Sequence, residues 1–275
     1  MQDSHKERID VLLVSKNLAS SRERAKRMIM AGLVFAGGQR VDKPGTLIDP
    51  DDQIEVRGED HPYVSRGGLK LEKALRKFDI PVKGLTFMDI GASTGGFTDC
   101  LLKNGASKVY AIDVGYGQLA WELRQDPRVM VMERTNVRNI TKADIKDAIQ
   151  GAVIDVSFIS LRLVLPVAYD ILEWDSHIVA LIKPQFEVGR GKVGKKGVVR
   201  DKSLHLEAVL SILDFCPKIG LCIRNLDYSP ITGPQGNIEF LAHLYKGSNQ
   251  ENMDISKLAA QAVDEAHDFF DNKDR

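Results

Sequence analysis

Several apolar runs in this chain of 275 residues end in a group that can do chemistry. Phe87-Met88-Asp89-Ile90 runs into Gly91-Ala92-Ser93-Thr94-Gly95-Gly96, and an apolar helical pattern opens with Phe97. Strand, tight turn and helix in that order make a nucleotide-shaped site at the carboxyl end of a buried strand. Val109 to Ile112 lead to Asp113, roughly 20 residues beyond the turn, where a carboxylate can accept hydrogen bonds from both ribose hydroxyls of a nucleoside. Asn136, just past a further apolar run, is placed to meet an adenine edge. Asp155 follows Ala152-Val153-Ile154, and Lys183 follows Val179 to Ile182. An acid and an amine on successive strand ends, both near the glycine turn, suggest a mutually tuned pair. Each residue has a plainer alternative: a helix cap or turn for Asp113, a turn for Asn136, a structural ion pair for Asp155 and Lys183.

The turn departs from the G-x-G-x-x-G of dinucleotide enzymes, because Ser93 stands at the second glycine position. That side chain is unwelcome where a pyrophosphate must approach the backbone. It is tolerable for S-adenosylmethionine, a nucleoside without phosphate. The run Asp-Ile-Gly-Ala-Ser-Thr-Gly-Gly-Phe resembles the cofactor loop of the FtsJ-like RNA methyltransferases, and of the TlyA family in particular. The resemblance implies that S-adenosylmethionine is bound by Asp89, Gly91, Ala92, Ser93, Thr94, Gly95, Gly96 and Phe97, together with Asp113 and Asn136. Lys70, Asp155, Lys183 and Glu239 match, in order and context, the Lys-Asp-Lys-Glu tetrad of the FtsJ-like ribose 2′-O-methyltransferases. The TlyA family methylates cytidine 2′-hydroxyls in ribosomal RNA, and some members carry the label haemolysin.

Such a tetrad makes physical sense. A ribose hydroxyl is a poor nucleophile, so a base must take its proton as it attacks the methyl sulfonium. A lysine serves only if burial or a nearby cation lowers its pKa, and opposing carboxylates push the other way. The sequence leaves both effects open, and the four groups titrate as one coupled set. The resemblance makes Lys183 the base, with Lys70 as the neighbouring cation and Asp155 and Glu239 as orienting groups.

The elements that must position these residues divide the chain near residue 60. From 61 to 275, apolar strands alternate with helical patterns, which predicts an α/β fold with helices on both faces of a mostly parallel sheet. A helix is expected over Leu69–Phe78, after a connector holding Gly58, Pro62 and Gly67-Gly68. Strands are expected at Thr86–Ile90, Lys108–Ile112, Val129–Glu133, Gly151–Asp155 and His177–Ile182. A closing pair, Cys222–Ser229 and Asn237–Leu244, reads as a hairpin around Gly233-Pro234-Gln235-Gly236. Family likeness makes this the Rossmann-like S-adenosylmethionine methyltransferase fold, with the hairpin antiparallel. The acidic stretch from Glu251 is expected to form a surface helix.

Residues 1 to 60 read as a small α+β module. Helical spacing appears at Ile9, Leu12 and Leu13. Ser20 or Ser21 caps a second helix that runs to about Ala31 and stops at Gly32. Short strands follow, with turns at Gly37-Gly38. The second helix carries Arg22, Arg24, Lys26 and Arg27 along one side and Ala25, Met28 and Ile29 on the other. A solvated helix face is the plain interpretation. In its wider pattern, from Arg-Ile-Asp-Val-Leu-Leu to Asp-Gln-Ile-Glu-Val, the module resembles the RNA-binding domain named after ribosomal protein S-four. That likeness implies that Ser21, Arg22, Arg24, Lys26 and Arg27 face RNA, chiefly phosphates.

A second basic segment, Lys183 to Lys202, includes Arg190, Lys192, Lys195 and Lys196 and is rich in glycine. Starting at a strand end that carries Lys183, it looks like a flexible clamp on an RNA backbone. Local patches matter because the formal net charge is zero and cannot steer nucleic acid by itself. Cys100, Cys216 and Cys222 lack C-x-x-C spacing and fit reduced cytoplasmic thiols, and no histidine spacing suggests a metal. Neither a membrane-length apolar run nor a signal-like N-terminus is present, which speaks against a membrane-active haemolysin. What the family resemblance implies is an rRNA (cytidine-2′-O)-methyltransferase acting on ribosomal RNA within ribosomal subunits. A non-catalytic RNA-binding factor on the same fold is the alternative.

Overall fold

The computed structural model describes residues 6–19, 21–30, 32–56, 61–194, 197–248 and 253–273. Expectations at Ser20, Ala31, Gly58, Lys195, Lys196 and Glu251 lie outside the described residues, as does the side chain of Arg190. The chain separates into two compact units, Met1–Arg66 and Gly67–Arg275.

In the first unit, β1 (Glu7–Arg8) leads into α1 (Ile9–Ser15). Then come α2 (Arg22–Met30), β2 (Val34–Ala36), β3 (Gln39–Arg40), β4 (Leu47–Ile48) and β5 (Ile54–Val56). Ile9, Leu13, Ala25, Met28, Ile29 and Val34 make its core. Among the described residues the strands form a β3-β2-β5 sheet and a separate β1–β4 pair. The β1–β4 pair has no sequence signature, because two-residue strands show no alternation. Asp10 is buried in α1 and accepts from Arg8 Nε at 2.9 Å and from Arg22 Nη2 at 3.0 Å. The hydrogen bonds from Arg8 outweigh burial and, with Arg22, draw the Asp10 carboxyl down to about 2.

The second unit opens with α3 (Gly67–Phe78), in which Leu71, Ala74, Leu75 and Phe78 recur at helical spacing on the buried side. Gly67 and Gly68, expected in the connector, form its first turn. Next come β6 (Thr86–Ile90), α4 (Gly96–Lys103), β7 (Lys108–Ile112), α5 (Trp121–Arg124), β8 (Val129–Met132), β9 (Gly151–Ile154) and α6 (Leu165–Ile171). They are followed by β10 (Ser176–Ile182), α7 (Pro184–Glu187), α8 (Lys202–Leu213), β11 (Cys222–Tyr228), β12 (Phe240–Lys246) and α9 (Ile255–Lys273). Among the described residues, seven strands form one sheet in the order β11-β12-β10-β9-β6-β7-β8. β12 runs antiparallel to both neighbours, and the β10-β9-β6-β7-β8 pairs are parallel. The chain reverses its direction of winding between β6 and β9, so a crevice opens at their carboxyl ends.

Alternation within the strands decides what each face buries. Met88, Ile90, Ala152, Ile154, Ile178 and Ile182 pack against α6, α8 and α9. The acidic α9 is therefore no simple surface helix: Ala259, Ala262, Val263 and Ala266 belong to the central core. Its acids occupy the outer side, where Asp264 pairs with Lys202 at 2.9 Å. α4 lies next to β6 and β7, and α3 next to α4 and β12. β12 starts at Phe240, later than the expected Asn237. The Asn237 side chain is engaged instead in bracing a loop: it accepts from Val199 N and donates to Gly197 O, both at 2.9 Å.

Candidate active site

Strand register brings the chemistry to one edge. Ile90 lies opposite Ile112 on one side and Ile154 on the other, so Gly91, Asp113 and Asp155 leave the sheet together. Ile182 pairs with Phe240 in the antiparallel ladder, which sets Lys183 and Glu239 side by side just beyond it. The glycine turn needs its glycines. Gly91 has φ of +87°, and a Cβ there would come within 2.5 Å of the Asp155 carbonyl oxygen. Gly95, at φ +94°, would drive a Cβ into Leu123 and Leu119. Ser93 itself adopts a left-handed φ of 48° and turns its amide to Asp113 Oδ2 at 2.8 Å. Asp113 Oδ1 takes Gly115 N at 2.7 Å. The carboxylate thus braces the turn and, with two lone pairs on each oxygen, still has acceptor capacity.

A cavity of about 630 Å³ opens beside this turn, ample for a nucleoside-sized ligand. Gly91, Ser93, Asp113, Asn136 and Asp155 line it, with Ile90, Ile112, Val137, Ile159 and Leu163 supplying apolar walls. Asn136 also caps a short 3₁₀ turn by accepting from Arg138 N, so the turn-forming role and the cavity-lining role coexist. The remaining residues expected to bind cofactor do not border the cavity. Ala92, Thr94, Gly95, Gly96 and Phe97 build the turn and the start of α4. Asp89 is fully buried and accepts from Thr98 Oγ1 at 2.6 Å. Its burial pushes the carboxyl up to about 7, and the neighbouring Asp155 charge adds to that against the Thr98 hydrogen bonds.

Lys70, Asp155, Lys183 and Glu239 converge. Lys70 Nζ donates to Glu239 Oε2 at 2.6 Å, across 169 residues of sequence, and lies 3.7 Å from Asp155 Oδ2. Lys183 Nζ lies 2.5 Å from Asp155 Oδ1 and donates to Ser157 Oγ at 3.0 Å. The four groups form a chain, Glu239–Lys70–Asp155–Lys183, whose central carboxylate borders the cavity. Burial alone would raise the Asp155 carboxyl, but the charges of Lys70 and Lys183 prevail and hold it below its ordinary value. Gly233 keeps space for the acid, since a Cβ there would meet Glu239 Oε1 at 2.6 Å.

Sequence reasoning missed three supports. Ser157, three residues past the end of β9, partners Lys183 and lines the cavity. Glu187, one helical turn after Lys183, accepts from Ser160 Oγ at 2.6 Å and Leu161 N at 2.9 Å, tying the two strand-end loops together. Burial raises its carboxyl against those bonds. Phe158 stands 89% exposed at the cavity with φ of 65° and packs on Phe186. Spacing from Asp155 and Lys183 was the available signal for all three.

The basic residues expected to meet RNA already have partners. Ser21 Oγ accepts from Arg24 N as the cap of α2. Arg22 pairs with Asp10, Lys26 with Glu23 at 2.6 Å, and Arg24 Nη1 donates to the His61 carbonyl at 2.9 Å. Arg27 is half-buried. In the other basic segment, Lys192 pairs with Glu207 on α8, and Val199 is buried beside Val188 and Ala208. Lys202 pairs in turn with Asp264 on α9, so both lysines are held by acids of the second unit's helices. The three cysteines are buried and unbridged. Among the described residues no helix is long and apolar enough to cross a membrane, and no cluster of His, Cys, Asp or Glu could hold a metal ion.

Comparison with known proteins agrees with this geometry. Residues 63–246 match the FtsJ-like methyltransferase family, and residues 7–54 match the S4 domain. The chain is 54% identical to YqxC of Bacillus subtilis, a candidate rRNA methyltransferase, over 98% of this chain and 97% of that protein. It is 45% identical to the 16S/23S rRNA (cytidine-2′-O)-methyltransferase TlyA of Mycobacterium tuberculosis, covering 86% of this chain and 89% of that one. A solved structure of a hemolysin candidate from Streptococcus thermophilus is 48% identical, covers 98% of both chains and superposes with a TM-score of 0.78.

Proposed function

This chain belongs to the TlyA family of FtsJ-like methyltransferases, and from that premise we propose that it transfers the methyl group of S-adenosylmethionine to the ribose 2′-hydroxyl of a cytidine in ribosomal RNA. The observation that carries the reading is the chain Glu239–Lys70–Asp155–Lys183 at the edge of a nucleoside-sized cavity.

The cavity suits the cofactor. Gly91 permits close approach, Asp113 has acceptor capacity for ribose hydroxyls, and apolar side chains wall the space for a purine. Bound there, S-adenosylmethionine supplies an electrophilic methyl group. As the general base, Lys183 takes the 2′-hydroxyl proton onto Nζ as the oxygen attacks. Asp155 and Ser157 fix the direction of that amine. Lys70, held by Glu239, supplies the second cation beside Asp155 and orients the hydroxyl.

The S4-type module, within residues 1–60, positions the RNA through Ser21, Arg22, Arg24, Lys26 and Arg27, and residues 61–275 carry out transfer. Arg22 and Lys26 are half-exposed, so phosphates can compete for their present partners. Arg190, Lys192, Lys195 and Lys196 contribute a second set of phosphate contacts. The substrate is rRNA within ribosomal subunits in the cytoplasm. Incubation with labelled S-adenosylmethionine and purified subunits, followed by mapping of 2′-O-methyl positions, tests this. Label at a cytidine ribose is expected. Label on a base, or none on either subunit, overturns it.

A further inference from the structure

α3 carries three lysines on one side, Lys70, Lys73 and Lys77, and two buried acids receive them. Glu239 takes Lys70. Asp227 on β11 takes both others, at 3.1 Å from Lys73 Nζ and 2.9 Å from Lys77 Nζ. The spacing of three and then four residues follows one stripe of a helix, so the contacts act in line along its axis. Lys73 Nζ also donates to the Tyr228 carbonyl at 2.7 Å and sits 3.5 Å above the Tyr228 ring. Asp227 is 1% exposed and pairs in register with Leu241, two residues after Glu239. Both acids therefore ride on the β11–β12 hairpin.

We propose that Asp227 is a positioning residue for methyl transfer: by gripping Lys73 and Lys77 it fixes the rotation and axial setting of α3, and so places the Lys70 amine between Glu239 and Asp155. A helix is free to roll about its axis unless something stops it. The apolar contacts of Leu71, Ala74, Leu75 and Phe78 resist separation from the core but hold rotation weakly, because they are not directional. Lys73, largely buried and held as well by the Tyr228 carbonyl, makes the contact that is costly to break, and the half-exposed Lys77 adds a weaker one a turn further along. The hairpin then serves two ends: it delivers Glu239 and it holds the helix that delivers Lys70. Asp227 touches neither cavity nor tetrad directly, so its effect on turnover passes through Lys70.

The inference rests on the methyltransferase reading, and the wild-type assay separates the two. An inactive wild-type protein on every ribosomal substrate sinks that reading before any variant is compared. With wild-type activity in hand, Asp227→Asn in the full chain is expected to lower kcat by about tenfold or more, while the KM for ribosomal subunits and the calorimetric Kd for S-adenosylmethionine stay within about twofold. Asp147→Asn, which breaks the surface pair of Lys108 and Asp147 at 2.7 Å, serves as the control and keeps wild-type kcat. Wild-type kcat in Asp227→Asn overturns the proposal. So does a fall in kcat accompanied by a raised KM, weaker cofactor binding and a lower Tm, which would mark a purely structural residue. If Asp227→Asn does not fold, Lys73→Met with Asp227→Leu removes both charges without leaving one buried alone. Its expected result is the same selective loss of kcat, and full turnover in that variant refutes the positioning role.

Discussion

Two sets of charged residues dominate this molecule, and they are built on opposite terms. On α2 the basic side chains are neighbours in sequence, partly exposed, and each is satisfied within its own unit: Arg22 by Asp10, Lys26 by Glu23, Arg24 by a backbone carbonyl. In the tetrad, residues 70, 155, 183 and 239 are far apart in sequence, Lys70 and Lys183 are only 6% and 8% exposed, and the groups satisfy one another. A half-exposed pair is screened by water and exchanges partners at little cost. A buried chain of charges cannot, because each member is desolvated for the sake of the next. The first arrangement suits a surface that trades internal partners for phosphates. The second suits a site whose geometry must be in place before the substrate arrives.

The largest effect should come from the buried set. Lys183→Ala removes the proton acceptor and is expected to lower the single-turnover rate by about 10²–10⁴-fold, with cofactor binding by calorimetry nearly intact. Near wild-type turnover would end the distinction, since the tetrad would then be structural. Next comes the cavity. Asp113→Ala should weaken S-adenosylmethionine binding by about 1–3 kcal/mol through loss of a charged acceptor and of the brace on Ser93 N. Gly91→Val should weaken it too, because its Cβ strikes the Asp155 carbonyl. Unchanged affinity in both variants would move the cofactor elsewhere.

The exposed set should respond differently. Arg24→Gln with Arg27→Gln is expected to raise the KM for ribosomal subunits while leaving kcat at saturation close to wild type. Each lost phosphate contact should also flatten the log–log salt dependence of binding by about one unit. A fall in kcat at saturation would show that the two regions are coupled more closely than this contrast holds. The smallest effect concerns stability. The Asp10 carboxyl is depressed from 3.8 to about 2, so the support it gives the first unit is present above pH 3.8 and is lost as pH falls through about 2. Asp10→Asn should erase that acid-side dependence in thermal melts. An unaltered acid limb would mean that other carboxylates set it.

Much of this was legible locally. The strand Thr86–Ile90 and the glycine turn fall where apolar periodicity and glycine positions place them, and the helix after them opens within a residue of Phe97. The hairpin was legible as two apolar runs about a glycine-rich turn, although β12 starts late because Asn237 is engaged with Val199 and Gly197. Of the residues expected to bind cofactor, Gly91, Ser93, Asp113 and Asn136 line the cavity. Asp89 was not distinguishable from them, because alternation sends it to the α4 side, where Thr98 receives it. Three features carried almost no signal: the β1–β4 pair, the anchoring of Lys192 and Lys202, and the grip of Asp227 on α3.

By itself, the sequence determined the long strands and helices of the second unit, where the chain must turn tightly, and which ionisable residues leave the apolar runs. Those properties depend on neighbours within a turn or two, and hydrophobic period, glycine and cap encode them directly. Tertiary structure alone decided which charges meet. Whether Lys70 reaches Glu239 depends on the register of β12 against β10 and on the rotation of α3, and neither is a property of any short segment. Ion pairs act over a few ångströms, whereas register and helix setting are fixed by burial summed over the whole core. The chain can thus specify the four charged residues one motif at a time, but only the packed core brings them within bonding distance.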